Sequence, residues 1–174
     1  MNDFIIELTS LNSRYKLNIL VNRLKASEND FLEVFGFMYH PEIKIAWKAA
    51  WACEKLSISR PGWFSDEMKQ QLISTALETK HGGLLRLTLS QLLHAGLPEN
   101  ITVEFINCCF DWVALPKYPT AVHSLGMKLL VELCKTEPEF KNETICFLEN
   151  LTETDYTPGF KSSRRAAIAK LNRL

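Results

Sequence analysis

The feature that most constrains the fold is the placement of glycine and proline between amphipathic segments of helical length. The seven glycines and seven prolines fall almost entirely between segments in which apolar residues recur every three to four positions. No segment alternates apolar and polar residues with β-branched side chains over the length of a strand. The sequence therefore predicts an all-α chain. Its helical segments begin near residues 42, 64, 82, 99, 119, 139 and 159.

Every second segment repeats one pattern. Alternate segments begin near residues 42, 82, 119 and 159, which gives a period of about 37 to 40 residues. They share small or apolar residues at matching places and keep polar residues on one remaining stripe, in IAWKAAWACEKL, GLLRLTLSQLL, AVHSLGMKLLVEL and FKSSRRAAIAKL. A single pair of helices cannot bury its apolar face alone. We therefore expect helix pairs that stack and share a core, with these segments as the second helix of each pair.

A two-helix unit of about 40 residues resembles the HEAT and armadillo-like repeats. The stretches KAAW (48–51), CFDW (109–112) and SRRAAIAKL (163–171) are similar to small, uncharacterised bacterial HEAT-like proteins. The resemblance covers nearly the whole chain, and it implies an α-α superhelix (a HEAT-like solenoid) of about four helix pairs with an N-terminal helical cap. The label adenylosuccinate lyase, carried by some of these proteins, is not supported, because the chain lacks that superfamily's Gly-Ser-Ser loop followed by Met-Pro and Lys.

The repeat pattern also predicts the domain organisation. We expect a single HEAT-like repeat domain over residues 1–174, in which residues 1–27 cap the open end of the stack. The repeats are expected at approximately 28–57, 64–96, 98–136 and 138–174.

Composition excludes some classes of protein. Twenty basic and twenty acidic residues cancel, so there is no global bias toward nucleic acid or membrane. No apolar run approaches the ~20 residues of a membrane span, and the N-terminal segment has no basic region before an apolar run. The five cysteines lie mostly among apolar neighbours without metal-ligand spacing. We expect reduced core thiols and a cytoplasmic protein.

The sequence offers no motif for catalysis, metal binding or a cofactor. The four histidines do not pair with cysteines or carboxylates at metal-ligand spacing, and no phosphate-binding glycine loop or nucleophile elbow is present. The glycines of Lys80–Gly83 could offer backbone N–H groups to an anion, but such glycines more often allow a tight turn between helices. Cys108 and Cys109 are flanked by apolar residues, which favours core packing over catalysis. We therefore predict no catalytic residue, no metal and no cofactor.

Charge is unevenly distributed between the helices. The presumed second helices carry a net charge of +9, counted over residues 42–57, 81–95, 117–135 and 158–174. The presumed first helices that follow them carry −9, counted over residues 64–80, 98–114 and 137–155. Two interpretations remain open. The two layers could pair with each other within the fold, or the basic layer could bind an acidic partner.

The second interpretation defines the candidate site. In HEAT stacks the second helices usually line the concave side, so we expect a non-enzymatic scaffold that binds a macromolecular partner there, either a protein or another acidic macromolecule. The sequence predicts no membrane contact and no particular oligomeric state. The candidate partner-binding residues are Lys44, Lys48, Trp51, Arg86, His123, Lys128, Arg164 and Arg165.

The alternative is a nucleic-acid-binding protein on the same fold. The chain also resembles the HEAT-like DNA glycosylases that remove alkylated bases, which use a basic concave surface with Trp, Asp and Arg near the lesion. The matching residue types here are Asp111-Trp112, Trp51 and Arg86, but they form no spaced motif. The neutral net charge argues against this alternative, because binding to a nucleic-acid backbone depends on several contacts between cations and phosphates.

Overall fold

The computed structural model describes residues 3–152 and 156–174, and 79% of these residues are helical. No strand occurs among those residues, so the predicted all-α fold is confirmed. Two 3₁₀ turns, Phe37–Tyr39 and Pro61–Trp63, lie between the helices. The helices are α1 (Asp3–Ser10), α2 (Arg14–Ala26), α3 (Glu28–Gly36), α4 (Ile43–Ser59), α5 (Asp66–Glu78), α6 (Gly82–Ala95), α7 (Val103–Ala114), α8 (Thr120–Thr136), α9 (Phe140–Asn150) and α10 (Pro158–Leu171).

Hydroxyl side chains determine where many of the helices begin. In five helices the residue before the first turn accepts a hydrogen bond from the backbone N–H three positions on, which satisfies a donor that the helix itself leaves unpaired. These capping residues are Ser13, Ser27, Ser65, Thr102 and Thr157. At the start of α6 the same role falls to His81, whose Nδ1 accepts from the Leu84 N–H at 3.0 Å. The backbone N–H of Leu84, at the end of the Lys80–Gly83 turn, is therefore already bonded to His81 and is not open to an anion.

The helices form two compact units, Met1–Gly96 and Leu97–Leu174. In the first unit, α4 lies at the centre and contacts α1, α2, α3 and α6. Its small residues Ala46, Ala49, Ala50 and Cys53 are all buried, because helices can approach on several sides only where side chains are short. This is the packing that their helical spacing predicts.

Two tryptophans flank this row of small residues. The rings of Trp47 and Trp51 stack with centroids 5.8 Å apart, and both side chains are half-buried. A Cβ atom on Gly83 would lie 2.9 Å from Nε1 of Trp47, so the glycine leaves space for the indole at the start of α6. Trp47 therefore fills the gap between the successive second helices α4 and α6.

In the second unit, α8 is central and contacts α7, α9 and α10. Gly126 lies where α8 meets α7. A Cβ atom there would be 3.0 Å from Cγ2 of Val113 and 3.3 Å from the carbonyl oxygen of Cys109. The two helices approach closely because this position has no side chain.

The predicted repeat length is visible in contacts between successive second helices. In the first unit, Ser90 donates to Glu54, 36 residues earlier. In the second unit, the hydroxyls of Ser124 and Ser163 lie 2.9 Å apart and are separated by 39 residues. Within each pair the two helices also contact one another: α3 with α4, α5 with α6, α7 with α8 and α9 with α10. The proposed repeat boundaries and the assignment of both units to one domain stay predictions.

Candidate partner-binding surface

Lys48 has a structural role. Its Nζ donates to the carbonyl oxygen of Thr9 at 2.7 Å, at the end of α1, and Lys16 donates to the neighbouring Ser10 carbonyl at 3.0 Å. The last carbonyl groups of a helix have no partner within the helix and favour a cation. Lys48 therefore ties the N-terminal helix to α4, and its ammonium group is engaged within the first unit.

Arg164 has a similar role in the second unit. Its Nη1 donates to the carbonyl oxygen of Leu151 at 2.8 Å, directly after α9 ends. Arg164 and Arg165 lie in the middle of α10, which begins at Pro158, so the dipole of their own helix has little effect on them. The position of Arg164 is explained by its contact with the end of α9.

We expect the adjacent arginines of α10 to differ in their effect on stability. Arg164→Met removes a charge-assisted hydrogen bond to Leu151 and should lower the free energy of unfolding by about 1–2 kcal/mol. Arg165→Met changes an exposed side chain and should stay within about 0.5 kcal/mol of the wild type. Urea unfolding followed by circular dichroism measures both values. Equal losses for the two variants would contradict these roles.

His123 does not lie on the surface. Its side chain is 4% exposed, and its ring packs edge-on against Tyr156 and Phe160 at centroid distances of 5.8 and 5.2 Å. The sequence placed it on a polar stripe of α8. Because α7, α9 and α10 all pack against α8, the exposed stripe is too narrow to include it. His123 therefore belongs to the interior of the second unit.

The other candidate cations face solvent. Lys44, Lys128 and Arg165 are exposed and Arg86 is half-buried. Within residues 3–152 and 156–174, these four side chains form no hydrogen bond or salt bridge. Four of the eight predicted residues are thus surface cations that have no hydrogen-bond or salt-bridge partner among the described residues.

Lys170 is a further cation of α10 that is not among the residues predicted from the sequence. It is exposed and follows Ser163 by seven residues, or about two helical turns. It therefore lies on the side of α10 that faces α8, where Ser163 contacts Ser124. The seven-residue spacing is the signal that could have identified it, once the face of α10 that packs on α8 was known.

None of the five salt bridges found between described residues joins a basic second helix to an acidic first helix. They lie among the first three helices or along a single helix. Arg23 joins Glu7 and Asp30, and the remaining pairs are Lys55–Glu54, Lys69–Asp66 and Lys135–Glu132. The contact from Arg164 to α9 uses a backbone carbonyl rather than a carboxylate. These salt bridges therefore do not balance the charges of the second helices.

A serine, a histidine and a carboxylate meet where α4 packs on α6. Ser90 is 6% exposed and donates to Oε1 of Glu54 at 3.0 Å, while Nδ1 of His94 lies 3.5 Å from the serine oxygen. Lys55 pairs with the other oxygen of Glu54 at 2.8 Å. The hydroxyl of Ser90 thus donates its proton to the carboxylate of Glu54 and is buried from solvent. The cluster holds two helices together and does not present a nucleophile.

The cysteines divide into three groups. Cys53, Cys109 and Cys134 are buried, as expected, and burial raises the pKa of each thiol. Cys108 is half-buried, and its thiol pKa is raised by burial and then by the charges of neighbouring carboxylates. Cys146 is exposed, which corrects the expectation of a core position because it lies on the outer side of α9.

This division predicts an order of alkylation. A maleimide added to the folded protein at neutral pH should label Cys146 first. Cys108 should follow more slowly, because a raised pKa leaves less thiolate at that pH. The buried thiols should react only after unfolding. Mass spectrometry of tryptic peptides over time measures this order, and early labelling of Cys53 would show that the packing of α4 is wrong.

Two further features limit the chemistry of the surface. Among the described residues, no group of three or more His, Cys, Asp or Glu side chains is placed to hold a metal ion. The helices of the same residues include none with the length and apolar content that a membrane crossing requires.

Comparison with known proteins identifies the family. The HEAT repeat domain family matches residues 5–171 of the chain. No curated protein and no solved structure matches. The match spans all ten helices nearly from end to end, and it agrees with the paired helices and with contacts at the repeat spacing. The chain belongs to the HEAT repeat domain family.

Proposed function

We propose that this protein is a non-enzymatic scaffold that binds an acidic protein through exposed cations of its second helices. A HEAT repeat fold is a helical scaffold suited to protein interaction. The observation that supports an acidic partner is the set of surface cations without an internal partner among the described residues. The first unit contributes Lys44 and Arg86, and the second contributes Lys128 and Arg165.

The charge of individual helices supports the same proposal. The segment PGFKSSRRAAIAKL of α10 contains four basic residues and no acidic one. The segment VEFINCCFDWVA of α7 contains two acidic residues and no basic one. Since α10 and α7 flank the same central helix, charge in this unit is sorted by helix and not scattered. An acidic partner would meet an attractive potential on α10, which favours encounter and orientation.

Exposed charges alone give little affinity, since a surface ion pair contributes about 0–1 kcal/mol. A partner must also bury apolar surface. In the first unit, Trp51 supplies part of such a surface, because it is half-exposed, lies against Trp47 and follows Lys48 by less than one turn. Tryptophan and arginine are enriched among the residues that dominate binding energy at protein interfaces.

The number of cations favours a protein over nucleic acid. Proteins that bind duplex DNA through the backbone neutralise about 6–10 phosphates, and the affinity falls steeply with salt. The candidate surface has two such cations in each unit, which is fewer than this, and the chain as a whole is neutral. An acidic protein segment needs fewer contacts, provided that apolar burial accompanies them.

The test uses a charge-reversal variant and a matched control. Lys128→Glu with Arg165→Glu changes two exposed cations of the second helices. Arg14→Glu with Lys80→Glu makes the same change in charge at exposed positions elsewhere. Tagged full-length proteins are used to capture partners from native lysate of the source cells, and the affinity of each captured protein is then measured with purified components.

We expect an acidic protein to bind the wild type and the control equally, and to bind the first variant at least about ten-fold more weakly. Circular dichroism should show unchanged folding in both variants. Equal binding by all three proteins would contradict the proposal. So would retention of duplex DNA at about 0.15 M salt with the same loss in the first variant, which would favour the nucleic-acid alternative.

A further inference from the structure

A small cavity opens where α8 and α10 begin, within the unit Leu97–Leu174. Its volume is about 160 Å³. The buried side chains His123 and Phe160 form its floor, and the exposed Pro116, Pro119 and Thr157 form its rim. Tyr118, Thr120 and Tyr156 complete the lining. The exposed cations of the candidate surface do not line this cavity.

The aromatic walls are held in place by their own contacts. The ring of Tyr156 stacks on Phe160 with centroids 3.7 Å apart and planes within 8°. Its hydroxyl donates to the carbonyl oxygen of Ala114 at 2.8 Å. At the rim, the hydroxyls of Thr120 and Thr157 lie 3.0 Å apart. Fixed walls of this kind are expected of a pre-formed ligand site, because little side-chain freedom is lost on binding.

His123 gives the cavity its polar group. Nδ1 of His123 lies 2.8 Å from the carbonyl oxygen of Trp112, and a carbonyl can only accept, so Nδ1 carries the proton and donates. In the neutral ring, Nε2 is then an acceptor. Among residues 3–152 and 156–174, no hydrogen bond to Nε2 is formed. A buried side chain with a fixed tautomer thus leaves one acceptor for a ligand.

Volume and lining together specify a ligand. A cavity of about 150 Å³ lined by apolar side chains holds one benzene molecule. The present cavity is of similar size and adds a single acceptor. We propose that it binds one aromatic ring that carries a hydroxyl group. The ring lies against the aromatic walls, and the hydroxyl donates to Nε2 of His123.

The test is an NMR titration of the ¹⁵N-labelled full chain with 4-methylphenol and, separately, with 4-methylanisole. The second compound has the same ring but no donor. We expect saturable shifts for 4-methylphenol, confined to the amides of residues 116–123 and 156–160, and about five-fold weaker binding of 4-methylanisole, as for the loss of one hydrogen bond.

A third titration with N-acetyltyrosinamide distinguishes the source of the ring. Binding as tight as that of 4-methylphenol indicates a tyrosine side chain, and weaker binding indicates a free phenol.

Two variants locate the interaction. His123→Phe removes the acceptor and should abolish the preference for 4-methylphenol over 4-methylanisole. Tyr118→Ala removes one wall and should weaken both ligands, while leaving the folded spectrum of the rest of the unit intact. If His123→Phe does not fold, the proposal is tested by the affinities of the wild type for 4-methylphenol and 4-methylanisole and by the effect of Tyr118→Ala on both. Absence of saturable shifts at millimolar ligand, shifts confined to other residues, equal affinity for the two ligands, or a preference retained in His123→Phe would each overturn the proposal.

Discussion

Phe31→Ala should lower the free energy of unfolding by about 3–5 kcal/mol, the largest stability loss that we expect from one substitution in this chain. Phe31 is 0% exposed. Its ring centroid lies 5.1 Å from that of Phe64, 5.7 Å from that of Trp63 and 6.1 Å from that of Phe35. Truncation to alanine leaves a cavity among rigid rings that cannot collapse to fill it, so both burial and ring contacts are lost.

The neighbouring residue provides the control. Leu32 is on the same helix but is 44% exposed, so Leu32→Ala should cost about 1 kcal/mol or less. Urea unfolding followed by circular dichroism gives both values. A loss under about 1 kcal/mol for Phe31→Ala would mean that the aromatic cluster between α3 and the turn before α5 is not packed as described.

Gly126→Leu should destabilise the second unit by about 2–3 kcal/mol through steric overlap. Even a Cβ atom at Gly126 comes within 3.0 Å of Val113, which is 0% exposed and has no space to move into. The carbonyl oxygen of Cys109, at 3.3 Å, belongs to the backbone of α7 and cannot rotate away. A larger side chain must therefore push α7 and α8 apart.

The control for this substitution is a glycine with open space around it. Gly36 lies at the end of α3 with helical backbone angles, and apart from the adjoining chain no atom lies within 4 Å of a Cβ placed there. Gly36→Ala should stabilise the protein by about 0.5–1 kcal/mol, because alanine loses less backbone entropy on folding. Thermal unfolding followed by circular dichroism tests whether the two substitutions change the stability in opposite directions. A Gly126→Leu variant as stable as the wild type would contradict the close approach of the two helices.

The fold was predictable from the sequence because it depends on local signals. Proline and glycine mark where helices stop, and Ser65 begins α5 as its position before an acidic turn indicates. The row of Ala46, Ala49, Ala50 and Cys53 identifies the face of α4 that other helices approach. Each of these signals depends on residues that are close in the sequence, so contacts between distant parts of the chain seldom change the local structure that it predicts.

The candidate site was less predictable because it depends on what lies beside each side chain. Lys48 and Arg164 occur on polar stripes, but both reach backbone carbonyls at the ends of other helices, 39 and 13 residues earlier in the chain. His123 lies close to the solvent-facing stripe of α8 by periodicity, yet its ring is covered by Tyr156 and Phe160. Helical periodicity gives the direction of a side chain but not the width of the surface that its neighbours leave open.

The separation of the contacts between second helices bears on how such a chain can change in length. Ser90 reaches back 36 residues to Glu54, and Ser163 reaches back 39 residues to Ser124. If one whole helix pair were added between two existing pairs, the residues that contact each other inside an older pair would stay the same number of positions apart in the sequence. Removing a few residues from within a helix would instead rotate everything that follows by about 100° per residue. Duplication of a complete pair is therefore the change in length that this architecture tolerates best, and a family built in this way should vary by whole repeats.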